Sequence, residues 1–242
     1  MNSLRTFKNF FLDLLFPRQC LSCKKADTWL CEACFSYVKP NIHQVCYLCR
    51  RTSEKAKTCN IHTSDDPARQ LDRLLVAAHY SGNPIIKKSI HTLKYANKPE
   101  DIANKLGRFL SETLALHLSI FHVPHCVFIP IPLHPKRLKS RGYNQAELIT
   151  KSMREAFNHP LIIDHQLLTR SKHTSSQVSS STRKARLENL KEAFQINGKT
   201  DPAKIYILVD DVVTTGSTLE ECCKILKEDG AREVWGLVLA RN

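Results

Sequence analysis

The stretch Ile205-Tyr-Ile-Leu-Val-Asp210-Asp211-Val-Val-Thr214-Thr215-Gly216-Ser217-Thr218-Leu219 limits the possible folds more than any other part of the chain. A run of β-branched and aliphatic residues leads into two adjacent carboxylates and a hydroxyl-rich turn. Leu219, Cys222, Cys223 and Leu226 then recur at helical spacing. The pattern predicts a buried strand, a tight loop and a helix. Thr218 and Glu221 stand at capping-box spacing, so the helix is expected to begin near Ser217 or Thr218. Such a junction aims backbone N–H groups and the positive end of a helix dipole at one point, a cradle for phosphate. No lysine follows Gly216, which excludes the nucleotide-binding P-loop. Asp210 and Asp211 fall at the carboxyl end of the strand, where open α/β sheets bind ligands. Carboxylates facing the phosphate would repel it, but they suit the hydroxyls of a sugar that carries it. The residues therefore point to a phosphorylated sugar, with its phosphate on the loop and its hydroxyls on Asp210 and Asp211.

Upstream, Cys20-x-x-Cys23, Cys31-x-x-Cys34, Cys46-x-x-Cys49 and Cys59-x-x-His62 follow one another. A two-residue gap lets both ligands of a knuckle reach one tetrahedral ion. Four knuckles supply two closed sites. In the simplest pairing Cys20, Cys23, Cys31 and Cys34 hold one zinc, and Cys46, Cys49, Cys59 and His62 hold the other. Spacing alone also allows interleaved pairing. Full ligation leaves no open position for catalysis, so both sites are expected to be structural. So short a segment, poor in large apolar residues, needs metal to fold. Metal also suits ten cysteines in a chain of intracellular character better than disulfides do.

The 242 residues divide into an amphipathic helix within 1–17, a zinc module over 18–66 and an α/β domain over 70–242. In the first of these, Leu4, Phe7, Phe10, Phe11, Leu14 and Leu15 recur at three- and four-residue steps. A helix packed on its own protein is preferred there to a membrane-surface anchor, because the stretch is short and carries few charges. It also lacks the long apolar core of a secretory signal. Asp65-Asp66-Pro67 reads as a linker. A strand is expected over 74–80, helices over 85–95 and 100–121, and a buried strand from Cys126 ending in prolines. The next stretch carries Lys136, Arg137, Lys139 and Arg141, read as a basic loop just past a strand end. Such a loop can clamp a diphosphate; a nucleic-acid backbone is the rival ligand. A helix over 146–157 follows. Residues 170–188 are polar, serine-rich and basic, and read as a loop, either a plain linker or a lid over an anionic ligand. The last strand is expected over 233–240. With 36 basic against 23 acidic residues the net charge is +13, which favours polyanionic partners.

The acidic pair with Thr-Thr-Gly-Ser-Thr resembles the phosphoribosyl-diphosphate (PRPP) motif of type I phosphoribosyltransferases. Further elements stand in one order: the four knuckles, Leu93-Lys94-Tyr95, Pro130-Ile-Pro, Arg141-Gly142-Tyr143-Asn144-Gln145, Thr174-x-x-Gln177, Arg186-x-x-Asn189 and the PRPP motif. Nearly the whole chain thereby resembles the ComF (ComFC/GntX-like) competence protein family. The resemblance implies a type I phosphoribosyltransferase fold, a parallel sheet flanked by helices, behind N-terminal zinc fingers. It implies that Asp210 and Asp211 hold the ribose of PRPP, and that Thr214, Thr215, Gly216, Ser217 and Thr218 hold its 5′-phosphate. Pro130, Ile131 and Pro132, with Lys136, Arg137 and Arg141, would meet the diphosphate within a segment spanning 130–142, and Gln177 and Arg186 would belong to the lid. Mg²⁺ would bridge diphosphate and ribose oxygens. Family members act in natural transformation, which implies single-stranded DNA as a partner, zinc fingers that aid DNA contact, other DNA-uptake proteins at the inner membrane, and a cytoplasmic location. Ser179-Ser180-Ser181 departs from the pattern of relatives and puts the lid's geometry in doubt.

Two other functions compete with a DNA-uptake protein that binds PRPP. One is a salvage enzyme moving phosphoribose onto a nucleobase, which needs an acceptor pocket and in-line geometry; no stretch declares such a pocket. The other is a zinc-held adaptor whose phosphate site is a remnant, and the intact PRPP motif argues against it.

Overall fold

The computed structural model describes residues 17–59, 70–96, 98–117, 125–157, 159–170 and 193–242. The helix expected over 3–16, the Asp65-Asp66-Pro67 linker, His62, Gln177 and Arg186 lie outside these residues.

The centre is a five-stranded, wholly parallel sheet. Its strands are β1 (Arg73–His79), β2 (Cys126–Pro130), β3 (Ile162–Ile163), β6 (Ile205–Val213) and β7 (Glu233–Arg241), in the spatial order β1-β7-β6-β2-β3. A separate antiparallel pair is formed by β4 (Leu168–Arg170) and β5 (Phe194–Ile196). Near-continuous apolar runs such as Ile205–Val209 are what a sheet covered on both faces requires. Strand alternation divides the core. Leu75, Ala77, Ile207, Val209, Leu237 and Leu239 face one side. Leu74, Val76, Tyr206, Leu208 and Val238 face the other.

The helices are α1 (Glu32–Phe35), α2 (Pro84–Tyr95), α3 (Glu100–His117), α4 (Pro135–Arg141), α5 (Gln145–Ala156) and α6 (Ser217–Glu228). Apolar stripes of α2, α3 and α5 cover the first face, and α6 with β4 and β5 covers the second. Helices α3 and α5 pack so closely that a Cβ on Gly107 would lie 2.4 Å from Ser152 Cβ.

Two expectations are corrected. The basic segment after β2 is not a loop but the helix α4. His134 is its N-cap, with its side chain accepting from the Lys136 N–H, Pro135 opens it, and Gly142 ends it at φ 85°. Helix α6 begins at Ser217, as expected, but not through a capping box at Thr218. Gly216 is the N-cap, at φ 82°, with no side-chain cap, so Thr218 already lies inside the helix.

The zinc module is not a remote appendage. Leu30, Phe35 and Val38 enter the core of the first face together with Phe109 of α3. Residues 39–45 then cross the outer edge of β1. There Asn41 N–H donates to Ala77 O at 2.7 Å. The Gln44 side-chain amide pairs with Val76 in both directions, at 3.2 and 3.1 Å. An edge strand with open backbone groups is thereby covered. Beyond it, Tyr47 enters the core of the second face.

Candidate functional site

The sheet order creates a crevice. Strands β2 and β6 are parallel neighbours, with Pro130 beside Val209. From β2 the chain leaves through α4 and α5 towards the β3 edge; from β6 it leaves through α6 towards β7 on the other side. Their carboxyl ends therefore flank a topological switch point, the ligand-binding place of open α/β sheets. The two loops singled out from sequence, residues 130–133 and 214–216, are the walls of this crevice.

On the β6 side, Gly216 takes a left-handed backbone conformation that lets the chain turn directly into α6. Thr215 and Ser217 hydroxyls lie 2.8 Å apart. The Glu220 N–H donates to Gly216 O at 2.9 Å, which closes the first helical turn. The N–H groups of that turn have no intrahelical acceptor, so the turn is chemically able to hold an oxyanion.

The adjacent aspartates go to opposite faces of the strand. Asp211 shares the face of Val209 and is buried, and its carboxylate is held by Lys94 at the end of α2, at 2.9 Å. Asp210 shares the face of Leu208 and keeps some solvent exposure, while its Oδ1 accepts the Asp211 N–H at 2.8 Å. Desolvation pushes its carboxyl up to about 7. The Asp211 charge adds to this, and the Asp211 N–H, Lys94 and Arg170 oppose it. Burial, with the neighbouring charge of Arg137, lowers the Arg170 pKa. Arg170 thus lies within electrostatic reach of both Arg137 and Asp210.

On the β2 side, Ile131 N–H donates to Val209 O at 2.9 Å, which extends the sheet one residue into the loop. Asn144 caps α5 by accepting from the Ala146 N–H, and its Nδ2 donates to Ile131 O at 3.0 Å. The Tyr143 hydroxyl donates to Leu93 O at 2.7 Å and approaches Ala96 O at 3.3 Å, which ties the end of α2 to this turn. The Gly142-Tyr143-Asn144 stretch is therefore the frame of the crevice wall. Lys136 and Lys139 are exposed on α4, a helix with no buried side chain. Arg141 sits 5.8 Å from the ring of Tyr95.

In the zinc module, the sulfurs of Cys20, Cys23, Cys31 and Cys34 lie within 4.8 Å of one another, as do those of Cys46, Cys49 and Cys59. The separations of 3.7 Å for Cys20–Cys31, 3.6 Å for Cys23–Cys31 and 3.8 Å for Cys49–Cys59 match a tetrahedral ion, whose Zn–S bonds of about 2.3 Å imply S···S edges of about 3.8 Å. The donor sets fit zinc, in the non-interleaved pairing. Sequence reasoning missed three residues: Lys94 in its pairing with Asp211, and Tyr47 and Glu220, which meet beside Gly216. Glu220 at a helix's first turn and Tyr47 inside a knuckle carry no local pattern that joins them.

The comparisons agree with this architecture. The profile of the double zinc ribbon domain matches residues 11–61. The chain is 31% identical over 237 residues to competence protein F of Haemophilus influenzae, covering 93% of this chain and 98% of that one. It is 32% identical over 210 residues to the DNA utilization protein YhgH of Shigella flexneri, covering 80% and 89%. Among solved structures, a hypoxanthine phosphoribosyltransferase from Staphylococcus aureus superposes with a TM-score of 0.36 at 13% identity, covering 57% of this chain and 65% of that one. The strand order and the ribbon profile define a parallel α/β domain behind a zinc-binding double ribbon. The chain belongs to the competence protein F family. No helix among the described residues is long and apolar enough to cross a membrane.

Proposed function

We propose that the protein binds PRPP in the crevice between β2 and β6 and handles single-stranded DNA during natural transformation. The observation that carries the first half is the switch point itself. A phosphate-competent helix start and a rigidly framed turn leave neighbouring strands in opposite directions, with two carboxylates between them. The 5′-phosphate takes the first-turn N–H groups of α6 and the hydroxyls of Thr214, Thr215, Ser217 and Thr218. The ribose hydroxyls take Asp210 and Asp211. Asp210 is the readier acceptor, because Lys94 already holds Asp211. The backbone of Pro130, Ile131 and Pro132, with Arg137, receives the diphosphate. Mg²⁺ accompanies the diphosphate and neutralises part of its charge.

The second half draws on the names of the relatives, competence and DNA utilization proteins, and on one surface. Tyr95 is 68% exposed. The ring of His91 lies 4.8 Å from its ring and the guanidinium of Arg141 5.8 Å. An exposed aromatic beside Arg141, at the end of a helix that also carries the exposed Lys136 and Lys139, is what sequence-tolerant single-strand binding uses, with bases stacked on rings and phosphates met by cations. Exposed Lys24, Lys25, Arg50 and Arg51 give the ribbons the same charge.

Two measurements test the reading. Adding PRPP with Mg²⁺ raises the melting temperature by mass action; an unchanged transition counts against the crevice. In a gel-shift series the protein retards single-stranded DNA, with affinity falling steeply as salt rises. Tyr95→Ala weakens that retardation about tenfold or more, and equal retardation by the variant removes Tyr95 from the surface.

A further inference from the structure

Tyr47 lies between Cys46 and Cys49, two cysteines of the second zinc cluster. It is 3% exposed and belongs to the core of the second sheet face. Its hydroxyl donates to Glu220 Oε1. The other oxygen of Glu220 accepts the backbone N–H groups of Gln70 and Leu71 at 2.9 and 3.3 Å. Its ring lies against Gly216: a Cβ built there would be 3.7 Å from the tyrosine Cε2. Its carbonyl oxygen accepts a hydrogen bond from Arg241 Nη2 at 2.5 Å, and Arg241 ends the strand next to β6, beside Val213. One side chain of the second ribbon thus touches the N-cap glycine of α6 and the first-turn carboxylate of the same helix, while its backbone is clipped to the neighbouring strand.

We propose that Tyr47 is a positioning residue for the phosphate loop, residues 214–217, and that zinc in the second ribbon sets the loop's geometry through it. This rests on the reading of that loop as the PRPP phosphate site. The first-turn N–H groups of α6 bind an oxyanion only if Gly216 keeps its left-handed turn and α6 keeps its depth. Tyr47 supports both, with its ring under Gly216 and its hydroxyl on Glu220. The knuckle in turn is held in shape by its metal, since so small a loop has little other internal structure. Loss of zinc from the second cluster therefore withdraws the support that reaches the loop through Tyr47.

The test uses the full chain with zinc bound, comparing wild type, Tyr47→Phe and Tyr47→Ala. The readouts are zinc content, global melting, hydrogen exchange over residues 212–222, and calorimetric affinity for PRPP with Mg²⁺. Tyr47→Ala is expected to keep zinc, to speed exchange over that segment while other core amides stay protected, and to weaken PRPP about tenfold. Tyr47→Phe keeps the ring and loses the hydroxyl, so it gives a smaller change of the same sign and remains informative should Tyr47→Ala fail to fold. Unchanged exchange over 212–222 in the variants overturns the inference. If wild type does not bind PRPP while the variants still loosen the segment, the positioning role stands and the ligand assignment is what fails.

Discussion

The two ribbons are built alike yet dock differently. They straddle the β1 edge of the sheet, one on each face. The first inserts apolar mass: Phe35 meets Phe109 edge-on at 6.5 Å between centroids, with the Arg108 guanidinium 4.3 Å from its ring. Trp29 adds backbone and indole hydrogen bonds to Asp101 and Lys98 O. Glu32 is ion-paired with Lys105 and Arg108. The second inserts a polar contact, Tyr47 on Glu220, beneath a loop with few packed side chains of its own. The first ribbon therefore serves the stability of the whole domain, the second the shape of one loop. Equivalent metal knuckles can do unequal work, decided by the residue that each presents to the sheet.

That contrast is open to measurement. The largest effect is expected from Cys31→Ser in the buried first cluster. Losing zinc there removes more than about 5 kcal/mol, seen as a collapse of the cooperative melt. Cys49→Ser should instead loosen mainly the second ribbon and residues 212–222 in hydrogen exchange. Equal global losses would erase the distinction. Next comes Phe35→Ala, expected to cost about 3–5 kcal/mol in denaturant unfolding, against about 1–2 kcal/mol for Tyr47→Phe, which strips one hydrogen bond from a buried carboxylate. Gln44→Ala, in the crossing between the ribbons, should cost about 1–2 kcal/mol and should raise exchange at Val76, whose N–H it accepts.

The smallest effect is a slope. Burial pushes the Glu220 carboxyl up to about 7 from an ordinary 4.5, opposed by the Gln70 and Leu71 N–H groups and by Lys227. The folded state thus holds a proton that the unfolded chain releases. The contribution of Glu220 to stability is largest below about 4.5 and declines as pH rises towards 7. Glu220→Gln should flatten that decline in urea midpoints. Asp210, shifted the same way, keeps it from vanishing. An unaltered slope would remove Glu220 from the balance.

Much of this was legible in the chain. The strand carrying Asp210 and Asp211, the helices after Asn83 and Asn144, and the first cysteine cluster each follow from a local rule of period, cap or spacing. Helix α4 carries no apolar periodicity, because it buries no side chain. Its cap and its Pro135 and Gly142 punctuation were present in the sequence. The capping box at Thr218 failed because Gly216 could already begin the helix by its backbone alone. The division of the aspartates between two faces follows from strand alternation, but Lys94 as the partner of Asp211 is more than a hundred residues away in sequence. Tyr47 and Glu220 are farther apart still, and no periodicity links residues that meet only through the fold.

The crevice is tested best by calorimetric titration of PRPP with Mg²⁺ into wild type, Asp210→Asn and Asp211→Asn. Binding to wild type is expected, with Asp210→Asn losing more affinity than Asp211→Asn, whose carboxylate Lys94 already holds. No heat from wild type, or identical binding by all three proteins, would contradict the assignment of the sugar phosphate to the junction of β6 and α6.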